Sequence, residues 1–153
     1  MRSCCKQVKE FVSFGKNLHA EVHKLYEKLN EREPRERVRM LLDFLSRHEQ
    51  HMQEALARFE KSSRSGILEA WLEYSPGLDV DEAMRKCAMP DHPGTDDLVK
   101  IALEFDDTLV RLYREVAEKV HDQKTKELFV NLLHLEEQEK IQITRAAMSL
   151  WDM

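Results

Sequence analysis

Residues 38–59 carry the sequence VRMLLDFLSRHEQHMQEALARF, in which apolar side chains recur every three or four positions. That spacing is the period of one face of an α-helix, so the segment predicts a long amphipathic helix. The stripe consists of Val38, Leu41, Leu42, Leu45, His48, Met52, Ala55, Leu56 and Phe59. His48 is the only polar residue of this stripe, and it lies near the middle of the predicted helix.

Three further stretches have the same period. Together the four predict helix A over 5–30, helix B over 35–61, helix C over 95–121 and helix D over 125–151. Short links join A to B and C to D, which makes two antiparallel hairpins. The segment 62–94 is broken by Pro and Gly, which predicts a long crossover with short helices. We therefore expect an all-α protein, a four-helix bundle that forms a single domain over 1–153.

The composition agrees with this class and excludes several partners. Hydrophobic residues make up 42% and charged residues 35%, with only four Gly and four Pro, which is typical of long helices. The net charge of -5 leaves no broad basic surface, so we expect no nucleic acid partner. The N-terminus has no apolar signal core, and no stretch reaches the roughly 20 apolar residues that span a bilayer. We expect no membrane partner and a cytoplasmic location.

The two predicted hairpins are similar in sequence. In the first helices, His19 precedes Tyr26 as Asp106 precedes Tyr113, with an offset of 87 residues. In the second helices an offset of 88 aligns Phe44-Leu45 with Leu132-Leu133, Glu49-Gln50 with Glu137-Gln138, His48 with Glu136 and His51 with Glu139. A duplicated half-bundle explains the pattern most simply.

Polar residues interrupt all four apolar stripes near the middle of the helices. These residues are His19, His48, Asp106 and Glu136, and one turn further on lie His51 and Glu139. We therefore expect three imidazoles and three carboxylates to converge inside the bundle. Ionised carboxylates in a core need a bound cation or hydrogen-bonded partners. A metal centre is the first interpretation, and a metal-free network of carboxylate–imidazolium hydrogen bonds is the alternative.

The arrangement resembles rubrerythrin and the wider ferritin-like two-iron carboxylate proteins. In that family the first helix of each hairpin supplies a Glu and the second supplies Glu-x-x-His. The resemblance covers helices A to D and leaves the crossover unmatched. It implies a ferritin-like topology, and by position it assigns the metal ligands to His19, His48, His51, Asp106, Glu136 and Glu139.

The ligand types differ from the family pattern. The first half has His and His-x-x-His, the second has Asp and Glu-x-x-Glu, and Glu136 is the only obvious bridging carboxylate. Such a set admits one or two transition-metal ions, iron first, with zinc, manganese or copper as alternatives. The histidine-rich half is expected to bind metal more strongly.

The resemblance implies an iron-dependent oxidoreductase that acts with oxygen or peroxide, and it suggests a homodimer. The cysteine-rich electron-transfer module of rubrerythrin has no counterpart here, so a redox partner would be a separate protein. Two other functions stay open. One is non-catalytic metal storage or sensing, and the other is a structural bundle with a degenerate site.

A hemerythrin-type oxygen carrier is a further alternative, because His19 and His23 lie one turn apart and His134 lies beside the stripe of helix D. Helices C and D supply no inward histidine pair, so the pattern is only partial. No phosphate-binding loop, Cys-x-x-Cys pair or nucleophile elbow occurs, which excludes nucleotide hydrolysis, a zinc ribbon and a serine hydrolase.

Residues that flank the proposed ligands have two interpretations. They are Glu49, Glu104, Asp107 and Glu137. Carboxylates in such places either orient the imidazoles of a metal centre or lie in solvent on the polar faces of the helices. The equivalent residues Tyr26 and Tyr113 are expected to pack in the core, with partners for their hydroxyl groups.

Overall fold

The computed structural model describes residues 5–63, 66–74 and 76–151. In chain order the elements are β1 (Lys6–Gln7), α1 (Val8–Arg32), α2 (Glu36–Ser62), β2 (Trp71–Leu72), α3 (Val80–Lys86), α4 (Thr95–Lys119) and α5 (Gln123–Trp151). The all-α prediction is confirmed, and the ends of the four long helices lie within three residues of the predicted ends. In the described part of the chain, no helix is both long enough and apolar enough to cross a bilayer.

The long helices pack as two hairpins, α1 with α2 and α4 with α5, around one common core. An aromatic contact joins the hairpins at one end of that core, and a second lies beside it within the α4–α5 hairpin. The Phe11 ring of α1 meets Phe129 of α5 edge-on, with 5.5 Å between the ring centroids. Tyr113 of α4 tilts against the same Phe129 ring at 6.2 Å. The interior between the hairpins is therefore closed by apolar packing on this side.

The crossover forms backbone hydrogen bonds with the start of α1. β1 and β2 pair in antiparallel fashion, and the Val8 N–H donates to the Ala70 carbonyl at 3.0 Å. The Lys9 N–H donates to the Leu68 carbonyl at 2.8 Å. These N–H groups begin a helix and have no partner within it, so the crossover satisfies them. The sequence predicted short helices in the crossover, and α3 confirms one of them. The run that contains Trp71–Leu72 forms a strand instead, because a short apolar run does not distinguish a helix from a strand.

Burial corrects the predicted alignment of the second helices. At an offset of 87, six buried residues of α2 match six buried residues of α5. The pairs are Val38 with Thr125, Leu41 with Leu128, Leu42 with Phe129, Leu45 with Leu132, Glu49 with Glu136, and Leu56 with Ile143. The predicted offset of 88 instead matches buried Glu49 with Glu137, whose side chain is 43% exposed. The offset of 87 therefore aligns the second helices as well as the first. Matching buried positions identifies equivalent helix faces, whereas matching similar residues does not.

Candidate metal centre

Each of the four long helices places a polar side chain in the middle of the bundle. His19 comes from α1, His48 from α2, Asp106 from α4 and Glu136 from α5, and their relative exposures are 2%, 6%, 0% and 0%. The sequence predicted this inward placement because each residue interrupts an apolar stripe. The four side chains converge, since atoms of His19 lie near Glu136 and atoms of His48 lie near Asp106.

Glu49 belongs to the buried cluster, whereas the sequence predicts it only beside the ligands. The residue is 2% exposed, and its Oε1 atom lies 2.7 Å from His19 Nδ1. A signal was present in the sequence, because Glu49 stands four residues after Leu45 and three before Met52, on the line of the apolar stripe. Burial raises the pKa of Glu49, and the charge on His19 opposes that effect.

His19 connects the two hairpins through both nitrogens of its ring. Its Nδ1 atom lies 2.7 Å from Glu49 Oε1, and its Nε2 atom lies 2.8 Å from Glu136 Oε1. Burial disfavours the charged imidazole, but the nearby Glu136 and Glu49 carboxylates outweigh it and hold the pKa of His19 well above its usual value. The metal-free ring is therefore an imidazolium that donates to both carboxylates at neutral pH.

His48 occupies the second half of the cluster. Its Nδ1 atom lies 2.8 Å from Glu139 Oε2, and its Nε2 atom lies 3.4 Å from Asp106 Oδ2 and 3.6 Å from Glu49 Oε2. Burial lowers the pKa of His48, but hydrogen bonds with Asp106 and Glu139 overcome this and raise it to about 10. Burial raises the pKa of Glu139, but the hydrogen bond with His48 outweighs burial and brings this pKa below its ordinary value.

Two carboxylate oxygens in the cluster, Asp106 Oδ1 and Glu136 Oε2, are buried and accept no hydrogen bond from any described residue. Burial and the charge of Glu136 raise the pKa of Asp106 against the opposing hydrogen bond with His48. A buried acceptor without a donor costs about 1–3 kcal/mol, and more when it is charged. The cluster thus holds four carboxyl groups against two imidazoles, and two of its buried oxygens have no donor among the described residues.

The donor atoms fall into two overlapping groups that have the spacing of metal ligands. One group is His19, Asp106 and Glu136, and the other is His48, Glu49 and Asp106. Within each group the ligand atoms all lie within 4.8 Å of one another. Asp106 belongs to both groups, so its carboxylate stands between them. Mixed imidazole and carboxylate donors suit iron, manganese and zinc.

The last two predicted ligands lie further out. The Glu139 side chain is 13% exposed and contacts the cluster through His48. The His51 side chain is 59% exposed, and its Nε2 atom is 3.9 Å from Glu139 Oε1. The structure does not bring His51 into the buried cluster. The reason is the corrected register, because His51 stands two residues after the inward Glu49 and therefore lies on another side of the helix.

The partial hemerythrin pattern does not converge on the cluster. His23 Nδ1 contacts the Ser46 carbonyl at 2.8 Å, and His23 Nε2 contacts Glu27 at 2.9 Å. His134 is exposed on α5. His23 and His134, which a hemerythrin-type centre would need in addition, therefore lie outside the cluster.

Three of the four flanking acids lie at the surface of the bundle. Asp107 pairs with Lys140 and Arg111, each at 2.9 Å. Glu137 pairs with Arg114 at 3.5 Å, and Glu104 is exposed. Only Glu49 of this set contacts an imidazole of the cluster.

The equivalent tyrosines are fully buried, as expected. Contrary to expectation, neither Tyr26 Oη nor Tyr113 Oη has a hydrogen-bond partner in the described part of the protein. Burial, then the charges of Glu49 and Asp106, raise the pKa of Tyr26, and burial followed by Glu136 does so for Tyr113. Both phenols therefore stay neutral and border the charged cluster.

Comparison of the chain with protein-family models, with curated proteins and with solved structures found no match.

Proposed function

We propose that this protein binds one or two transition-metal ions at the buried cluster and that iron is the preferred metal. The observation that carries the proposal is the pair of buried, unpartnered oxygens, Asp106 Oδ1 and Glu136 Oε2. A cation would satisfy both atoms and offset the excess of carboxylates over imidazoles. In the metal-free protein no described residue donates a hydrogen bond to either atom.

The ligand groups support a specific assignment. His19, Asp106 and Glu136 would hold one ion, while His48, Glu49 and Asp106 would hold the other. If a single ion binds, we assign it to the first group, because that group contains both unpartnered oxygens. The bound metal would displace the protons that the two imidazoles carry in the metal-free protein.

The corrected register brings the chain closer to the ferritin-like two-iron carboxylate pattern. With one offset of 87, the Glu of each Glu-x-x-His motif falls on Glu49 and Glu136, and the His falls on Met52 and Glu139. His19 and Asp106 take the first-helix positions. Both second-helix carboxylates of the pattern are then present, which favours a ferritin-like protein with altered outer ligands.

The activity that we propose is iron-dependent oxidoreduction with oxygen or peroxide as the oxidant. Iron in such a site supplies electrons to small oxidants. The six cluster side chains are at most 13% exposed, so small molecules are the substrates that can reach them. The six are His19, His48, Glu49, Asp106, Glu136 and Glu139. Electrons would come from a separate redox partner, and the family resemblance favours a homodimer.

Metal content and thermal stability test the metal centre. The protein is purified under conditions that retain metal, assayed for bound metal, and melted with and without a chelator. We expect one or two ions per chain and a lower melting temperature after chelation. A ligand at a hundred times its dissociation constant contributes about 2.7 kcal/mol to the stability of the folded state. Identical melting curves, on protein that has retained its metal, would exclude a metal that stabilises the fold.

A metal-free structural network is the second candidate function, and His19 provides the observation in its favour. Both ring nitrogens already contact carboxylates, so this side chain needs no metal to be satisfied. In that case added iron, manganese or zinc leaves the melting temperature unchanged, whereas the Glu136→Gln substitution still lowers it. The two proposals therefore predict opposite effects of added metal.

Storage or sensing without turnover differs from oxidoreduction in one measurement. Iron-loaded protein is mixed with hydrogen peroxide and a reductant, and peroxide consumption is followed over many equivalents. Repeated turnover that is lost in the Glu136→Gln variant supports the oxidoreductase. If the protein consumes only as much peroxide as its bound iron can reduce once, storage or sensing is supported.

A further inference from the structure

We propose that His51 and Glu139 form a surface capture site through which metal ions reach the buried cluster. The proposal rests on the metal binding proposed above and assigns His51 a role other than that of a final ligand. A divalent transition-metal ion would first bind between the two side chains and then pass inward along Glu139.

A gradient of exposure leads from solvent to the cluster through these residues. The exposed fraction of the side chain falls from 59% for His51 to 13% for Glu139 and 3% for His48. Of the six cluster side chains, the other four are at most 2% exposed. An ion that enters the cluster therefore meets Glu139 as its most accessible carboxylate.

The two oxygens of Glu139 face in different directions along this gradient. Oε2 lies 2.8 Å from His48 Nδ1, inside the cluster. Oε1 lies 3.9 Å from His51 Nε2, on the exposed side. One carboxylate thus contacts an imidazole of the centre with one oxygen and approaches a surface imidazole with the other.

The 3.9 Å separation suits a shared cation better than a hydrogen bond. A nitrogen and an oxygen at that distance are too far apart for a hydrogen bond. Two ligand atoms that each lie about 2.1 Å from one ion are about 3.4 Å apart at the tetrahedral angle and at most about 4.2 Å apart. A small side-chain rotation would therefore let Nε2 and Oε1 bind the same ion without a change in the backbone. Imidazole and carboxylate together favour a transition metal over magnesium or calcium.

The test compares the kinetics and the equilibrium of metal binding. Metal-free protein is mixed with Co²⁺ in a stopped-flow instrument, uptake is followed by the absorption of the bound ion, and release is started with excess chelator. The variants are His51→Ala, which changes an exposed side chain, and the control His134→Ala, which removes an exposed histidine on α5. A capture site speeds entry and exit alike, because both follow the same route.

We expect His51→Ala to slow both uptake and release by roughly tenfold, a span that single substitutions commonly produce in association rates. The dissociation constant and the spectrum of bound Co²⁺ should stay those of the wild type, and His134→Ala should match the wild type throughout. In a Glu139→Gln background, His51→Ala should slow uptake much less, since the pair is already broken.

Three results would overturn the proposal in distinguishable ways. Unchanged rates in His51→Ala would remove the capture site and leave the metal centre intact. A weaker dissociation constant with an altered spectrum would make His51 a ligand of the final centre. If the wild type binds no Co²⁺, Fe²⁺ or Zn²⁺ at all, the proposed metal binding fails, and the capture site fails with it.

Discussion

Glu49 and Glu136 lie on opposite sides of the His19 ring, with Glu49 Oε1 2.7 Å from Nδ1 and Glu136 Oε1 2.8 Å from Nε2. The two acids are 87 residues apart and occupy equivalent positions in the two hairpins. A single imidazole on α1 thereby joins carboxylates from α2 and α5. The cluster is thus both a candidate ligand set and a polar link between the halves of the bundle.

The substitution Glu136→Gln tests that link in the metal-free protein. Removal of one partner from a buried ion pair leaves the other charge poorly compensated, so we expect a loss of about 3 kcal/mol in the free energy of unfolding. Denaturant unfolding with chelator present measures it. The control is Glu137→Gln, because Glu137 pairs with Arg114 at the surface and should contribute less than about 0.5 kcal/mol. Equal effects of the two substitutions would contradict a structural role for Glu136.

The raised pKa of His48 predicts a specific dependence of stability on pH. Its pKa is about 10 in the folded protein and about 6.5 when unfolded. Its contribution is therefore complete below about pH 6.5 and disappears as the pH rises to about 10. The metal-free wild type should lose its stability advantage over His48→Gln across this range. Denaturant unfolding at several pH values measures the difference, and a constant difference would contradict the prediction.

Metal binding should release protons from the cluster. Both His19 and His48 are protonated at neutral pH in the metal-free protein, and an imidazole must be neutral to bind metal. We expect release of about two protons when both rings become ligands. Calorimetry in buffers of different ionisation enthalpy counts them, and His48→Ala should release one fewer. The affinity should keep rising above neutral pH, whereas unperturbed histidines would give a plateau.

Gly15 provides a test of the packing beside the cluster. A Cβ atom at this position would collide with the Tyr113 hydroxyl oxygen. The better helix propensity of Ala favours Gly15→Ala by roughly 0.5–1 kcal/mol, but the clash costs about 1–3 kcal/mol, so the variant should be less stable. With Tyr113→Phe as well, the nearest ring carbon lies 3.5 Å from the new Cβ, an ordinary contact. The double variant should therefore recover at least wild-type stability.

Melting curves of the two single variants and the double variant form a complete cycle. Tyr113→Phe alone should be close to neutral, because its hydroxyl has no partner among the described residues. Gly77→Ala is the matched control, since a Cβ there meets no atom within 4 Å. A double variant as unstable as Gly15→Ala would show that the hydroxyl is not the source of the clash.

The candidate site was partly predictable from the chain alone. His19, His48, Asp106 and Glu136 could be placed inside because each interrupts an apolar stripe, and a stripe is a local property of one helix. Glu49 could also have been found, since it lies on the line from Leu45 to Met52. An alignment that matches similar residues rather than helix faces pairs Glu49 with Glu137 and so places it beside the ligands.

His51 shows the limit of spacing arguments. Its separation of three residues from His48 places both on neighbouring parts of one helix surface, but that surface is wider than the buried stripe. The way in which α2 packs against the other helices decides which part is covered. In this fold the buried line passes through Glu49, so His51 remains 59% exposed.

The sequence by itself determined the four long helices, their pairing in two hairpins, and a polar centre on their inner faces. Hydrophobic periodicity and short links encode these features within stretches of adjacent residues. Only the tertiary structure decided which carboxylate meets which imidazole, that Asp106 and Glu136 each keep one oxygen unpartnered, and that the crossover pairs with the start of α1. Such contacts join residues far apart in the chain, so they depend on how the helices rotate and pack against one another.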